Sequence, residues 1–147
     1  SPWVAERVKM LLEDSVADTE LLARLMADCV DNASAKIQLE LIRAHPDLAG
    51  KAQVAGELTA DSTEEQSKAG LDQCTADEFE KFQSLNASYK EKFGFPFIMA
   101  VRESNRSQIL HAFASRLDND YGEEFETALQ EIHKIARLRL TALEDSQ

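Results

Sequence analysis

Three short segments interrupt an otherwise helical pattern, and each carries side chains able to move protons or hold charge. The first is His45-Pro46-Asp47-Leu48-Ala49-Gly50. Proline disfavours helical geometry in the residue before it, so a helix must end near His45. An imidazole fixed at that point can exchange protons near neutral pH. The same spacing suits a helix-terminal histidine that only bonds a last-turn carbonyl. The second segment, Ser62-Thr63-Glu64-Glu65-Gln66, fits an S-x-x-E capping box. A helix start offers free N–H groups and a positive dipole end, both suited to an anion. Glu65 and Gln66 would project from that first turn, and a plain cap with solvated acids is the alternative. Glu64 is expected in solvent on either view. The third segment, Phe93-Gly94-Phe95-Pro96-Phe97-Ile98-Met99-Ala100-Val101-Arg102, is apolar and irregular and ends in a cation. Irregular backbone leaves N–H and C=O groups that a polar ligand can satisfy. Arg102 can grip a carboxylate at two points. It equally suits a surface ion pair beside a core-filling turn.

The remaining reactive residues carry less. His111 and His133 lie within helical patterns, and neither has a His or Cys partner at metal-ligand spacing. Cys29 and Cys74 form no CxxC pair and read as reduced thiols, Cys29 as a small buried hydrophobe. No zinc motif, phosphate loop or nucleophile elbow occurs. No metal site is therefore expected.

The elements that must position these segments are helices. Val4, Val8, Leu11 and Leu12 share one helical face, as do Leu21, Leu22, Leu25, Met26 and Cys29. Ser34 can cap a helix carrying Ile37, Leu41 and Ile42. Asp47 to Leu58 is less regular. Gly70 is a plausible end for the helix opened at Ser62. Thr75-Ala76-Asp77-Glu78 is a second capping box, heading a helix with Phe79, Phe82, Leu85, Tyr89 and Phe93 that Gly94 stops. Ile98 to Val101 is the one strand-like run, too short to build a sheet. Ser104 or Asn105 can start a helix with Ile109, Leu110, Phe113 and Leu117. The final helix shows Phe125, Leu129, Ile132, Ala136 and Leu140, with Arg137 and Arg139 placed to suit its C-terminal dipole. The expected fold is all-α, a single-domain bundle of about seven or eight short helices over residues 1–147.

The chain has 147 residues, 44% of them hydrophobic and 29% charged, an ordinary globular balance. Its formal net charge of −11 disfavours nucleic acid or an anionic membrane as partner. An anionic substrate would need local positive potential from Arg, His or helix starts. No secretory leader or C-terminal peroxisomal signal is visible, so a cytoplasmic location is expected.

Taken in order, HPDLAG, EQ-x-x-AGL, N-x-x-Y-x-x-K-F-G-F-P-F-I and the final ETALQEIHKIARLRL resemble the 2-oxo-4-hydroxy-4-carboxy-5-ureidoimidazoline (OHCU) decarboxylase family from about Ser1 to Leu140. Family members usually carry a further stretch before the segment matching Ser1-Pro2-Trp3. The resemblance implies a carboxy-lyase without cofactor, turning OHCU into (S)-allantoin in urate degradation, often as a homodimer. It implies His45 as the proton-transfer residue, with Glu65 beside it in the catalytic set. It implies substrate contacts from Pro46, Ser62, Gln66, main-chain groups around Phe97, Ile98 and Val101, and Arg102. Two rivals remain on residues alone. A non-catalytic helical module does not explain three breaks bearing His, Glu and Arg, and a 5-hydroxyisourate hydrolase would need a β-strand pattern that is missing.

Overall fold

A computed structural model describes residues 2–11, 19–49 and 60–145. In chain order these form α1 (Pro2–Leu11), α2 (Thr19–Asp31), α3 (Ala35–Arg43), α4 (Ala60–Lys68), a 3-10 turn (Leu71–Gln73), α5 (Ala76–Phe93), α6 (Arg106–Arg116) and α7 (Tyr121–Asp145). The all-α expectation holds, with seven α-helices and no strand among the described residues. The helices are not uniformly short, since α5 has 18 residues and α7 has 25. Most of the irregular stretch expected from Asp47 to Leu58 lies outside the described residues.

Helix boundaries follow local chemistry in most places. Ser34 Oγ accepts from the Ile37 N–H and opens α3, which stops at Arg43 just ahead of His45-Pro46. Thr75 and Glu78 form a reciprocal capping box on α5, and Asn105 and Gln108 form another on α6. Such caps each contribute about 1 kcal/mol. Gly94 closes α5 at φ +75°, a conformation other residues adopt only under strain. The box expected at Ser62 does not form as a cap. Helix α4 already begins at Ala60, and Asp61 supplies the acid that suits its first turn. Ser62 therefore sits inside the helix. Its side chain lies outside the described ones.

Helix α7 is the long member on which α2 and α3 pack, while α1 lies on α2 and α6 on α5. One contiguous core joins them. Its centre is aromatic: Tyr89 meets Phe97 and Phe113 edge-on, and Phe97 stacks on Phe113 at 3.9 Å between centroids. Each such pair adds roughly 0.5–1.5 kcal/mol beyond simple burial. The run expected to be strand-like, Ile98 to Val101, is irregular. Side chains rather than a neighbouring strand take up its backbone: Arg116 donates to the Ile98 carbonyl, and the Ala100 N–H donates to Glu131.

Candidate active site

His45 stands two residues beyond α3, and its main-chain N–H donates to the Ile42 carbonyl at 3.1 Å. Its ring Nδ1 lies 2.9 Å from the Leu41 carbonyl oxygen. A carbonyl only accepts, so Nδ1 carries the hydrogen and the neutral ring keeps its lone pair on Nε2. The last-turn carbonyl bond foreseen as the plain alternative thus exists, and it is what fixes the tautomer a base requires. Burial holds His45 below its ordinary value of 6.5; the Leu41 bond opposes this, and the Arg139 charge adds to the lowering.

The loop after His45 is held by three side-chain amides. Gln66 Oε1 accepts from the Ala49 N–H at 3.0 Å, and Gln66 Nε2 donates to the Asp47 carbonyl at 3.4 Å. Gln83 donates to the Ala49 carbonyl and Asn86 to the Leu48 carbonyl, each at 3.0 Å. Lys90 pairs with Asp47. These bonds keep Ala49 at φ +50°, a left-handed conformation that costs an alanine about 1–2 kcal/mol. Gln66 is buried and both ends of its amide face this loop, so its geometry first serves to place His45-Pro46.

Glu65, the neighbour of Gln66 on α4, meets two arginines. Arg139 donates to it twice, from Nε at 3.0 Å and from Nη2 at 2.8 Å. Arg102 Nη2 lies at 3.5 Å from the same carboxylate. Glu65 is 8% exposed, so the pair is formed largely out of water. Together these three groups leave one net positive charge. That is the local positive potential an anionic ligand needs in a chain of net charge −11. Arg102 is only loosely engaged, and its Nε is buried with no hydrogen-bond partner. A buried donor of that kind is costly until an acceptor arrives.

His45, Pro46, Glu65, Gln66, Phe97, Ile98, Val101 and Arg102 border one cleft, so the three separated segments meet in space. Phe97 is covered on both ring faces, by Phe113 and by the Arg116 guanidinium, so the cleft receives its edge and main chain. Arg106, by contrast, is absorbed in structure, bonding Glu78 and the Gly70 carbonyl. His133 pairs with Asp31 across α7 and α2. Among the described residues no three His, Cys, Asp or Glu side chains converge as metal ligands would.

The sequence reading missed Arg139, along with Ile135 and Leu138, which also border the cleft. It had set Arg139 at the end of the last helix as a dipole partner. Helix α7 runs on to Asp145, which removes that role. The available signal was spacing: Ala128, Ile132, Ile135 and Arg139 lie four, three and four apart, so Arg139 continues a buried stripe while Arg137 falls off it.

The geometry can be set beside known proteins. A model of the OHCU decarboxylase family matches residues 1–141. The chain is 46% identical over 143 residues to the 2-oxo-4-hydroxy-4-carboxy-5-ureidoimidazoline decarboxylase of Halalkalicoccus jeotgali, covering 97% of this chain and 78% of that one. It is 45% identical over 140 residues to the enzyme of the same name from Haloferax volcanii, covering 95% and 80%. Among solved structures it resembles an (S)-allantoin synthase, with a TM-score of 0.72 and 34% identity over 95% of this chain and 44% of that one. An OHCU decarboxylase solved in the presence of (S)-allantoin also gives a TM-score of 0.72, at 25% identity over 93% of this chain and 89% of that one. Fold, near-complete coverage and identity above 40% converge on one conclusion: this chain belongs to the OHCU decarboxylase family.

Proposed function

We propose that this protein decarboxylates OHCU to (S)-allantoin in urate degradation, with His45 moving the proton and no cofactor. The observation that carries the reading is His45 itself: its tautomer is locked by Leu41, and it shares a cleft with Glu65, Arg102 and Arg139. OHCU bears a carboxylate and a hydroxyl on one ring carbon, next to a C=N bond. The bond to the carboxylate breaks, carbon dioxide leaves, and the electron pair moves into the C=N, whose nitrogen takes a proton. The hydroxyl then loses its proton as it becomes the ring carbonyl, and the ureido-bearing carbon gains one. The substrate is its own electron sink, so pyridoxal or thiamine chemistry is not needed. What the protein supplies is orientation, charge and one proton carrier.

In this reading Arg102 and Arg139 hold the carboxylate and ureido oxygens. Glu65 keeps the two guanidiniums in place and orients the ureido group. Pro46, Ser62, Gln66, Phe97, Ile98 and Val101 complete the substrate contacts. His45 Nε2 accepts the hydroxyl proton and delivers one to carbon from a single face. The apolar side, including Phe97 and Ile98, excludes water from the other face. Uncatalysed decay gives racemic allantoin, because solvent protonates either face. Replacing His45 by Asn keeps a hydrogen-bonding group but removes the titratable nitrogen. The expected result is a loss of at least ~100-fold in turnover, with (S)-allantoin still bound. Near wild-type turnover with full S excess would remove His45 from the mechanism. The reading extends to one domain over residues 1–147 acting in the cytoplasm and, on the strength of the family resemblance, to a homodimer. No helix among the described residues is long and apolar enough to cross a membrane. Light scattering of the purified protein tests the dimer.

A further inference from the structure

The Phe97–Val101 wall is held from behind by a buried charged cluster that the proposed reaction leaves without a task. Glu124, on α7, is fully buried. Its carboxylate accepts from the Tyr89 hydroxyl at 2.5 Å, Arg116 Nε at 2.8 Å and Asn119 Nδ2 at 2.9 Å. Arg116 directs Nη1 to the Ile98 carbonyl at 2.6 Å. Its guanidinium carbon also lies 4.2 Å from the Phe97 ring centre, and the far face of that ring rests on Phe113. One guanidinium thus fixes both the main chain and the side chain at the corner of the wall.

A buried ion pair gains little net, because desolvation offsets the attraction, and apolar residues of similar size often serve as well. Here the arrangement is costlier still, since Arg116 Nη2 is buried with no partner. What apolar filling could not supply is a donor aimed at the Ile98 carbonyl. Two residues along the chain, Glu131 accepts from the Ala100 N–H at 3.2 Å, so the segment is gripped at both polarities. We infer that Arg116, oriented by Glu124, is a positioning residue: it sets the Phe97–Ile98 wall that shields one face of the substrate, and through that wall governs the hand of the product.

This inference rests on the decarboxylase reading above, and its test keeps the two apart. Wild-type protein is first given freshly made OHCU, and the optical purity of allantoin is extrapolated to saturating enzyme. No S excess at that stage defeats the functional reading itself. With S excess in hand, two variants are compared. Arg116→Lys keeps a charge for Glu124 but cannot also reach Ile98 and cover Phe97. The double variant Arg116→Met/Glu124→Leu removes both charges together, the change a buried pair tolerates best. The expected result is a helical protein with kcat/KM reduced roughly 100-fold, the effect of a misplacement on the order of 1 Å, and a smaller S excess at saturating enzyme. A merely structural loss would lower the amount of active enzyme without changing product hand. Full S purity with wild-type kcat/KM in either folded variant overturns the inference. Failure of both variants to fold also overturns it, by making the pair a determinant of the fold and not of the site.

Discussion

Arg137 and Arg139 stand two residues apart on α7, yet the structure gives them different work, and replacing each by alanine separates the two. Arg137 is 60% exposed and lies 3.9 Å from Glu20, itself 69% exposed. Exposed pairs of this kind contribute about 0–1 kcal/mol, so Arg137→Ala should leave both melting temperature and kcat/KM nearly unchanged. Arg139 makes two short bonds to a carboxylate whose side chain is 10% exposed. Removing one partner of a fully buried pair costs about 3–5 kcal/mol. Arg139 is one-third exposed, and Arg102 remains near Glu65, so the expected loss of stability is nearer to ~2 kcal/mol by the same argument. Activity should fall further. Without Arg139 the cluster of Glu65 and Arg102 is neutral, and Arg102 is drawn to Glu65 and away from the ligand. Losing a charge-assisted contact of about 2 kcal/mol or more corresponds to roughly 30-fold or greater in kcat/KM. The assay is enzyme-dependent loss of OHCU absorbance, run beside thermal melts. Equal effects at the two positions, or no effect at Arg139, would refute the placement of Arg139 in the cleft.

The other expectations concern the same cleft. His45 is held below 6.5, first by burial, so its proton-accepting form survives to lower pH than in a free imidazole; turnover should be flat near neutrality and fall only as acid passes through that depressed value. The unfolded chain takes up this proton first, at about 6.5, so acidification between the two values should also drain stability, seen as a falling melting temperature that His45→Asn lessens. Arg102→Ala should reduce kcat/KM with little change in melting, whereas Arg106→Ala should lower melting with less effect on kinetics, since Arg106 ties Glu78 to Gly70. Equal kinetic effects at those two arginines would count against Arg102 as a ligand contact. Gln66→Ala removes two bonds to the loop after His45, and should cost about 2 kcal/mol of stability for the backbone groups left unpaired, alongside reduced turnover; unchanged kinetics would detach that loop from catalysis.

Much of the fold was legible because helical spacing and caps are local. Ser34, Thr75, Gly94 and Asn105 mark boundaries where the chain itself satisfies or terminates the backbone. Ser62 misled because a capping motif names a possible helix start, while the helix that forms already includes Ala60 and Asp61. His45, Glu65 and Arg102 stood out as polar residues at breaks in the pattern. Arg139 did not, because it interrupts nothing: a cation in the last third of a helix is ordinary until its partner 74 residues away is known. The Glu124–Arg116 pair was hidden for a related reason. Charged residues near a helix start look solvated in sequence, and only packing shows that Glu124 is fully enclosed.

The Glu65–Arg139 pair also decides when, during folding, a cleft can exist. It joins residues 74 positions apart, and His133–Asp31 joins residues 102 apart. Closing a loop of 74 residues costs about 4 kcal/mol of chain entropy, as (3/2)RT ln n. Helices such as α3 and α5 can form on the microsecond scale without that closure. A complete cleft, with Arg139 beside Glu65, therefore requires α7 to dock. Any fragment that stops short of residue 139 can be richly helical and still hold His45 beside an unfinished wall.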